Sequence, residues 1–338
     1  VASRLCMRFS LAAMADFYQA HPHFSSYQAP TPPVVSTFKR TAPLWIDTDA
    51  GFDDLLAIGA LASDEHLKLV TTTSGACETP AVGAARVAGL LKALGRDDVE
   101  VVAGLPAPSV EVAPWLATAR EKMVAWAADL PRAAPSASTV ADALARLDCP
   151  DGLFLGPLTN VAAALEGLDK ETLDYHFGEC VAMGGNKLKY KKPDFDLDQA
   201  PYNVPEFNFA CDPRAARKVV GMMHDLAIVG LDACSADLDD VAAELAAMPG
   251  LLASIPKVDA YAVRCDPLAA FYYSTQENFD QFFGGLIVDG DTGVVRVKDH
   301  ELHHFVGTNL RPGQASQKKR HEAYAGGRAI YVAWLKDA

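Results

Sequence analysis

Leu44-Trp45-Ile46-Asp47-Thr48-Asp49-Ala50-Gly51-Phe52-Asp53-Asp54-Leu55-Leu56-Ala57-Ile58 is the stretch from which the rest of the chain is read. An apolar run with the look of a buried strand leads into it, and a second apolar run with the look of a helix leads out. Between them, Asp47, Asp49, Asp53 and Asp54 place four carboxylates within eight residues. Charged side chains rarely gather where a core strand ends unless something positive sits there. Gly51 is expected to permit the sharp turn at the junction. Asp53 and Asp54 fall in the first helical turn, where the backbone dipole favours negative charge by only ~0.3–1 kcal/mol each. That is too little to offset the crowding of four acids, so a bound cation is the simpler account.

Working outward, strand–turn–helix units repeat. The spacing predicts a helix over 53–63, a strand over 67–72, a helix over 80–94 ending at Gly95, and a strand over 99–104. A helix over 115–130 follows, then one over 139–147, a strand over 152–156, a helix over 160–168 and a strand over 180–185. Alternation of this kind predicts an α/β fold, an open and mostly parallel sheet with helices on both faces. Ligands in such sheets bind beyond the carboxyl ends of the strands. The polar clusters sit at those ends: Asp47 to Asp54, Thr71 to Gly75, Gly156 to Asn160 and Gly184 to Asn186.

Composition narrows the classes. The chain has 338 residues and a net charge of −13, which argues against nucleic acid or an anionic membrane as the main partner. No apolar run approaches the ~20 residues of a membrane span. Seven scattered cysteines without a C-x-x-C pair point to a reducing compartment rather than a disulfide framework or zinc ribbon. Residues 1–42 read as an N-terminal arm ahead of a domain over 43–338. Arg4, Arg8 and the nearby serines resemble part of an organellar, mitochondrial-type targeting segment, with a cytoplasmic location as the alternative. Aromatics in the Pro-rich remainder of the arm need burial against this chain or a neighbour.

The opening stretch resembles the D-x-D-x-G-x-D-D motif of the nucleoside hydrolases, calcium-dependent enzymes that cleave the N-glycosidic bond of ribonucleosides. Further matches follow in order: Gly156-Pro157-Leu158-Thr159-Asn160, Met183-Gly184-Gly185, Glu206-Phe207-Asn208 with Asp212-Pro213, and Asp266-Pro267-Leu268-Ala269. The resemblance covers the chain from about Pro43 onward and implies a Rossmann-like core, a nucleoside substrate, and a homo-oligomer or a subunit of a larger complex. It implies Ca2+ held by Asp49, Asp54, Asp266 and the backbone carbonyl of Leu155, oxygen donors of the kind a hard cation takes. Asp49 is implied as general base and Cys265 as the group near the departing base. Asp53, Met183, Glu206 and Asn208 are implied as substrate contacts.

The match has departures. Ala76 stands where the family usually carries an Asn that binds the sugar. Cys265 stands where many members have His, and a thiol of pKa ~8.5 is a poorer acid at neutral pH. The usual Gly-Asn pair before Glu206 is not recognisable, the Lys- and Asp-rich loop there is longer, and the His-Gly loop after the third strand gives way to Leu105-Pro106-Ala107-Pro108. A catalytically weakened or inactive subunit is therefore the competing reading. Two remoter patterns are present. Asp47-Thr48-Asp49 also resembles the nucleophile motif of haloacid-dehalogenase-type phosphatases, but Asp289-Gly290-Asp291 reads as a hairpin turn rather than their second acidic loop. His300-Glu301-Leu302-His303-His304 satisfies the zinc-protease pattern, which requires a helix; the strand-like run before it predicts an edge strand or loop instead.

Overall fold

The computed structural model describes residues 41–108, 121, 132–169, 173–185, 205–223, 226–234, 265–274, 279–284, 286–297, 303–305 and 330–335. The arm over 1–40, most of the helix expected over 115–130 and the charged loop over 186–204 lie outside these residues. In chain order the strands are β1 (Leu44–Thr48), β2 (Leu67–Thr72), β3 (Glu100–Ala103), β4 (Asp151–Phe154), β5 (Cys180–Met183) and β6 (Leu226–Val229). They continue with β7 (Phe279–Gly284), β8 (Leu286–Val288), β9 (Val295–Val297), β10 (His303–Phe305) and β11 (Ile330–Leu335). The helices are α1 (Phe52–Leu61), α2 (Pro80–Ala93), α3 (Val140–Leu144), α4 (Thr159–Ala164), α5 (Leu173–His176), α6 (Phe207–Cys211), α7 (Pro213–Met222), α8 (Leu231–Cys234) and α9 (Cys265–Ser274).

One sheet carries the order β10-β7-β11-β6-β5-β4-β1-β2-β3. From β3 to β11 every pairing is parallel, while β7 and β10 join antiparallel. The chain winds outward from β1 through β2 to β3, then returns to place β4 on the other side of β1 and winds the opposite way. The crevice where the direction reverses lies at the carboxyl ends of β1 and β4, the switch point at which open α/β sheets bind ligands. The acidic stretch therefore falls where the topology opens a site.

Alternation along β1 divides the core. Leu44 and Ile46 face α1, α2 and α9 together with Val70, Leu153 and Val181. Trp45 faces the other way, with Leu69, Phe154 and Ile228, onto α4 and α7. Trp45 packs edge-on against Phe154 at a centroid distance of 5.1 Å. Both faces of a parallel strand are covered, which is why β1 can be buried along all five residues.

The hairpin over 286–297 forms as expected. Asp289 Oδ1 accepts the amides of Asp291 (3.0 Å) and Thr292 (2.9 Å), and Gly293 takes a φ of 78°. That carboxylate holds a turn, so it is not the second acidic loop a phosphatase would need. His303 and His304 lie on β10, the last strand of the sheet among the described residues, not on a helix.

Candidate active site

The turn between β1 and α1 is held together by Asp54. Its Oδ1 accepts the Thr48 hydroxyl and the Asp49 amide (3.2 Å), and its Oδ2 accepts the Gly51 amide (3.1 Å). Thr48 Oγ in turn accepts the Ala50 amide at 2.9 Å. The left-handed residue is Ala50, with φ 54°, not Gly51, which is extended. Gly51 therefore permits the turn through the space it leaves and not through a left-handed backbone. Glycine is needed there for space, because a Cβ would come within 2.9 Å of both Asp54 Oδ2 and Ala76 Cβ. A non-glycine residue at positive φ is uncommon, and such strain concentrates at functional sites.

Asp49 is pressed between two further turns. Its Oδ2 accepts the Ala76 amide at 2.8 Å. A Cβ at Gly75 would lie 2.1 Å from that oxygen, and one at Gly156 would lie 2.6 Å from the Asp49 nitrogen. Asp54 sits between Asp49 and Asp266, close enough to hydrogen-bond a protonated form of either. Asp53, Asp54 and Asp266 each offer an oxygen within 4.8 Å of the others.

This crowding has an electrostatic consequence. Burial, then the charge of Asp54, holds Asp49 and Asp53 well above the usual carboxylate range. Asp266 is raised by burial and then by Asp53 and Asp54. The charges that raise these three groups are other carboxylates. Such a cluster keeps its charge only with a cation among its oxygens, and otherwise holds protons. All the donors are hard oxygens, which fits Ca2+ or Mg2+ rather than a soft metal. The Leu155 carbonyl, at the carboxyl end of β4, accepts the Asn208 side-chain amide at 2.7 Å and has a second lone pair to offer.

The sequence matches the inosine-uridine preferring nucleoside hydrolase family model over residues 44–323. The chain belongs to this family. It is 30% identical over 210 residues to the pyrimidine-specific ribonucleoside hydrolase RihA of Shewanella woodyi, covering 57% of this chain and 61% of that protein. It is 27% identical over 241 residues to a non-specific ribonucleoside hydrolase RihC of Escherichia coli, covering 69% and 72%. The chain thus spans about three-fifths of the length of the first of these relatives. A plant nucleoside hydrolase superposes with a TM-score of 0.59 at 20% identity over 88% of this chain and 95% of that one. An inosine-guanosine nucleoside hydrolase superposes at 0.56, also at 20% identity, over 86% and 93%. At these identities the superpositions speak for the fold.

Within this nucleoside hydrolase fold, the residues expected as substrate contacts are placed as follows. Glu206 is buried and caps α6: Oε1 accepts the Asn208 amide (2.8 Å), and Oε2 accepts the Phe209 and Gly185 amides (both 3.1 Å). Burial nevertheless pushes it up to about 7. Asn208 donates to the Leu155 and Met183 carbonyls, at 2.7 and 3.3 Å, tying the ends of β4 and β5. Cys265 is 5% exposed and opens α9 beside Asp266. Ala76 contributes its amide to Asp49 and no side-chain hydrogen bond.

Thr48, Thr71 and Asn160 have no individual role in the motifs. Asp47 Oδ1 accepts the Thr71 hydroxyl and the Asn160 amide (2.8 Å), and Thr71 accepts the Trp45 indole at 2.8 Å. Asn160 also donates to the Thr72 carbonyl (3.1 Å) and accepts the Leu105 amide (2.8 Å). All three lie in the polar runs at strand ends, but which member of a run turns inward depends on register.

Proposed function

We propose that this chain hydrolyses the N-glycosidic bond of ribonucleosides, giving ribose and free base, with Ca2+ bound at Asp49, Asp54, Asp266 and the Leu155 carbonyl. The observation that carries this reading is the carboxylate cluster at the switch point of a nucleoside hydrolase fold, built from distant parts of the sequence and with no counter-charge acting on it among the described residues. A divalent cation held by these oxygens would supply Lewis acidity toward water and the sugar hydroxyls. Asp49, fixed by the Ala76 amide, receives the proton of the attacking water. Asp53, the more exposed acid of the pair, faces the sugar with Glu206 and Asn208. Hydrogen bonds between this group and the sugar hydroxyls accelerate the reaction to the extent that they tighten as the ribose flattens toward an oxocarbenium ion.

A second reading is favoured by the way the sugar-side groups are engaged. Glu206 and Asn208 bond within the chain, Ala76 offers no side-chain donor and Cys265 is buried. On that reading the chain binds calcium as a weakly active or inactive subunit of a homo-oligomer or larger complex. Base release from inosine and uridine, measured with calcium and with chelator, separates the two. Chelator-sensitive release of hypoxanthine or uracil supports hydrolysis. Tight calcium binding without release at high protein concentration supports the subunit, and absence of both overturns the metal assignment.

A further inference from the structure

The candidate ligand Asp266 is carried on α9, far in sequence from the acids of β1 and α1. Helix α9 is buried from Cys265 to Tyr273 and packs on α1, β4 and β5 largely through Leu268, Ala269, Ala270 and aromatic side chains. Close packing of these side chains holds the helix on the sheet, and a hydrogen bond adds a directional constraint on its position along the axis. A directional contact exists at the far end. Tyr273, 1% exposed, donates its hydroxyl to Asp151 Oδ2 at 3.0 Å, while Asp151 Oδ1 accepts the Glu179 amide at 2.8 Å. Asp151 is itself buried, and a Cβ at Gly178 would come within 2.3 Å of Oδ1, so the carboxylate is locked in place.

The spacing connects this lock to the site. Seven residues separate Asp266 from Tyr273, about two turns or ~10 Å of helix, which returns both to one face. Asp151 opens β4, and Leu155 follows its end ~13 Å away. The helix and the strand thus run between the same two levels of the sheet. We propose that the Tyr273–Asp151 hydrogen bond is an axial stop that positions Asp266 relative to the carboxyl end of β4, making Tyr273 a positioning residue for the metal centre. The inference rests on the calcium assignment only for its binding readout.

Calcium titration by calorimetry and hydrogen exchange of the metal-free protein test it together. Tyr273→Phe is expected to weaken calcium binding about tenfold, the lower end of the effect of supporting residues at metal sites. Val219→Ala, a cavity on the opposite face of the sheet, should lower stability while leaving affinity within about twofold. Asp151→Asn can turn its amide oxygen to Glu179 and its NH2 to the Tyr273 oxygen, so it should retain near-native affinity, whereas Asp151→Val should match Tyr273→Phe. If Tyr273→Phe fails to fold, the Asp151 pair decides. In metal-free protein, exchange across 265–274 should accelerate in Tyr273→Phe with exchange across 213–222 unchanged. Native calcium affinity in Tyr273→Phe, or equal weakening in Val219→Ala, overturns the proposal. Should the wild type bind no calcium, the metal assignment falls, and unaltered exchange over 265–274 would then overturn the axial stop separately.

Discussion

At Gly75 there is no room for a side chain. A Cβ would lie 2.1 Å from Asp49 Oδ2 and 2.9 Å from the Asp49 Cβ and Cγ. Gly75→Ala must therefore swing the carboxylate away and break its 2.8 Å bond from the Ala76 amide. Displacing a reacting group by about 1 Å can cost ~10²-fold, while overpacking a buried site costs ~1–3 kcal/mol. On the proposed activity, Gly75→Ala should lower kcat on uridine by about 10²-fold with a modest loss of thermal stability, read by steady-state kinetics beside a calorimetric melt. A loss of activity no greater than the loss of folded protein would remove Asp49 from the proton-accepting role. Asp49 is legible in its motif, but the need for glycine at 75 is not, because the β1–β2 pairing is what brings the two residues together.

Elements meet through Asn160. This fully buried side chain joins the ends of β1 and β2 and the segment after β3 through Asp47, Thr72 and Leu105. A Cβ at Gly104 would come within 2.3 Å of its Oδ1, so the segment approaches because that residue is glycine. Asn160→Ala leaves the Leu105 amide and the Asp47 carboxylate short of partners, and a buried polar group left unsatisfied costs about 1–3 kcal/mol. The urea midpoint should fall accordingly with the slope unchanged, since the area exposed on unfolding is the same. A midpoint within error of wild type would show that water replaces the amide and that the ends of the strands hold without it. The elements themselves were largely legible: the 67–72 strand and the helix beginning at Pro80 appear where patterning placed them. Periodicity and caps are local properties. The helix expected over 160–168 is shorter, ending at Ala164, and Gly167 takes a left-handed φ of 82° where the chain turns away from the helical path.

For the whole molecule, the acids make stability depend on pH. Burial raises Asp47 from 3.8 to about 7 and Glu206 from 4.5 to about 7. Between about pH 4 and pH 7 the folded state therefore holds more protons than the unfolded state, and stability falls as pH rises through that window. The metal-free protein should melt lower at pH 8 than at pH 5, the reverse of a protein whose carboxylates are salt-bridged. Calcium should close this gap at the upper pH by binding the folded state alone, through a term that grows as RT ln(1 + [Ca2+]/Kd). Melting curves at the two pH values with calcium and with chelator check both signs. A chelated protein that melts higher at pH 8 would mean the acids are charged and compensated by other means.

The sequence by itself determined the alternating α/β plan, the strand whose end carries the acids and the family to which the chain belongs. These follow from patterns within short windows and from motifs in register. Tertiary structure decided what those residues do to one another. Ala50, not Gly51, takes the left-handed backbone. Glu206 and Asn208 bond inside the chain, and Tyr273 reaches Asp151 across 122 residues. The acidic stretch became part of a cation-sized cluster only when α9 brought Asp266 against Asp53 and Asp54. Repulsion between buried charges depends on distance through space, and distances through space are set by strand order and helix docking, which no local pattern encodes.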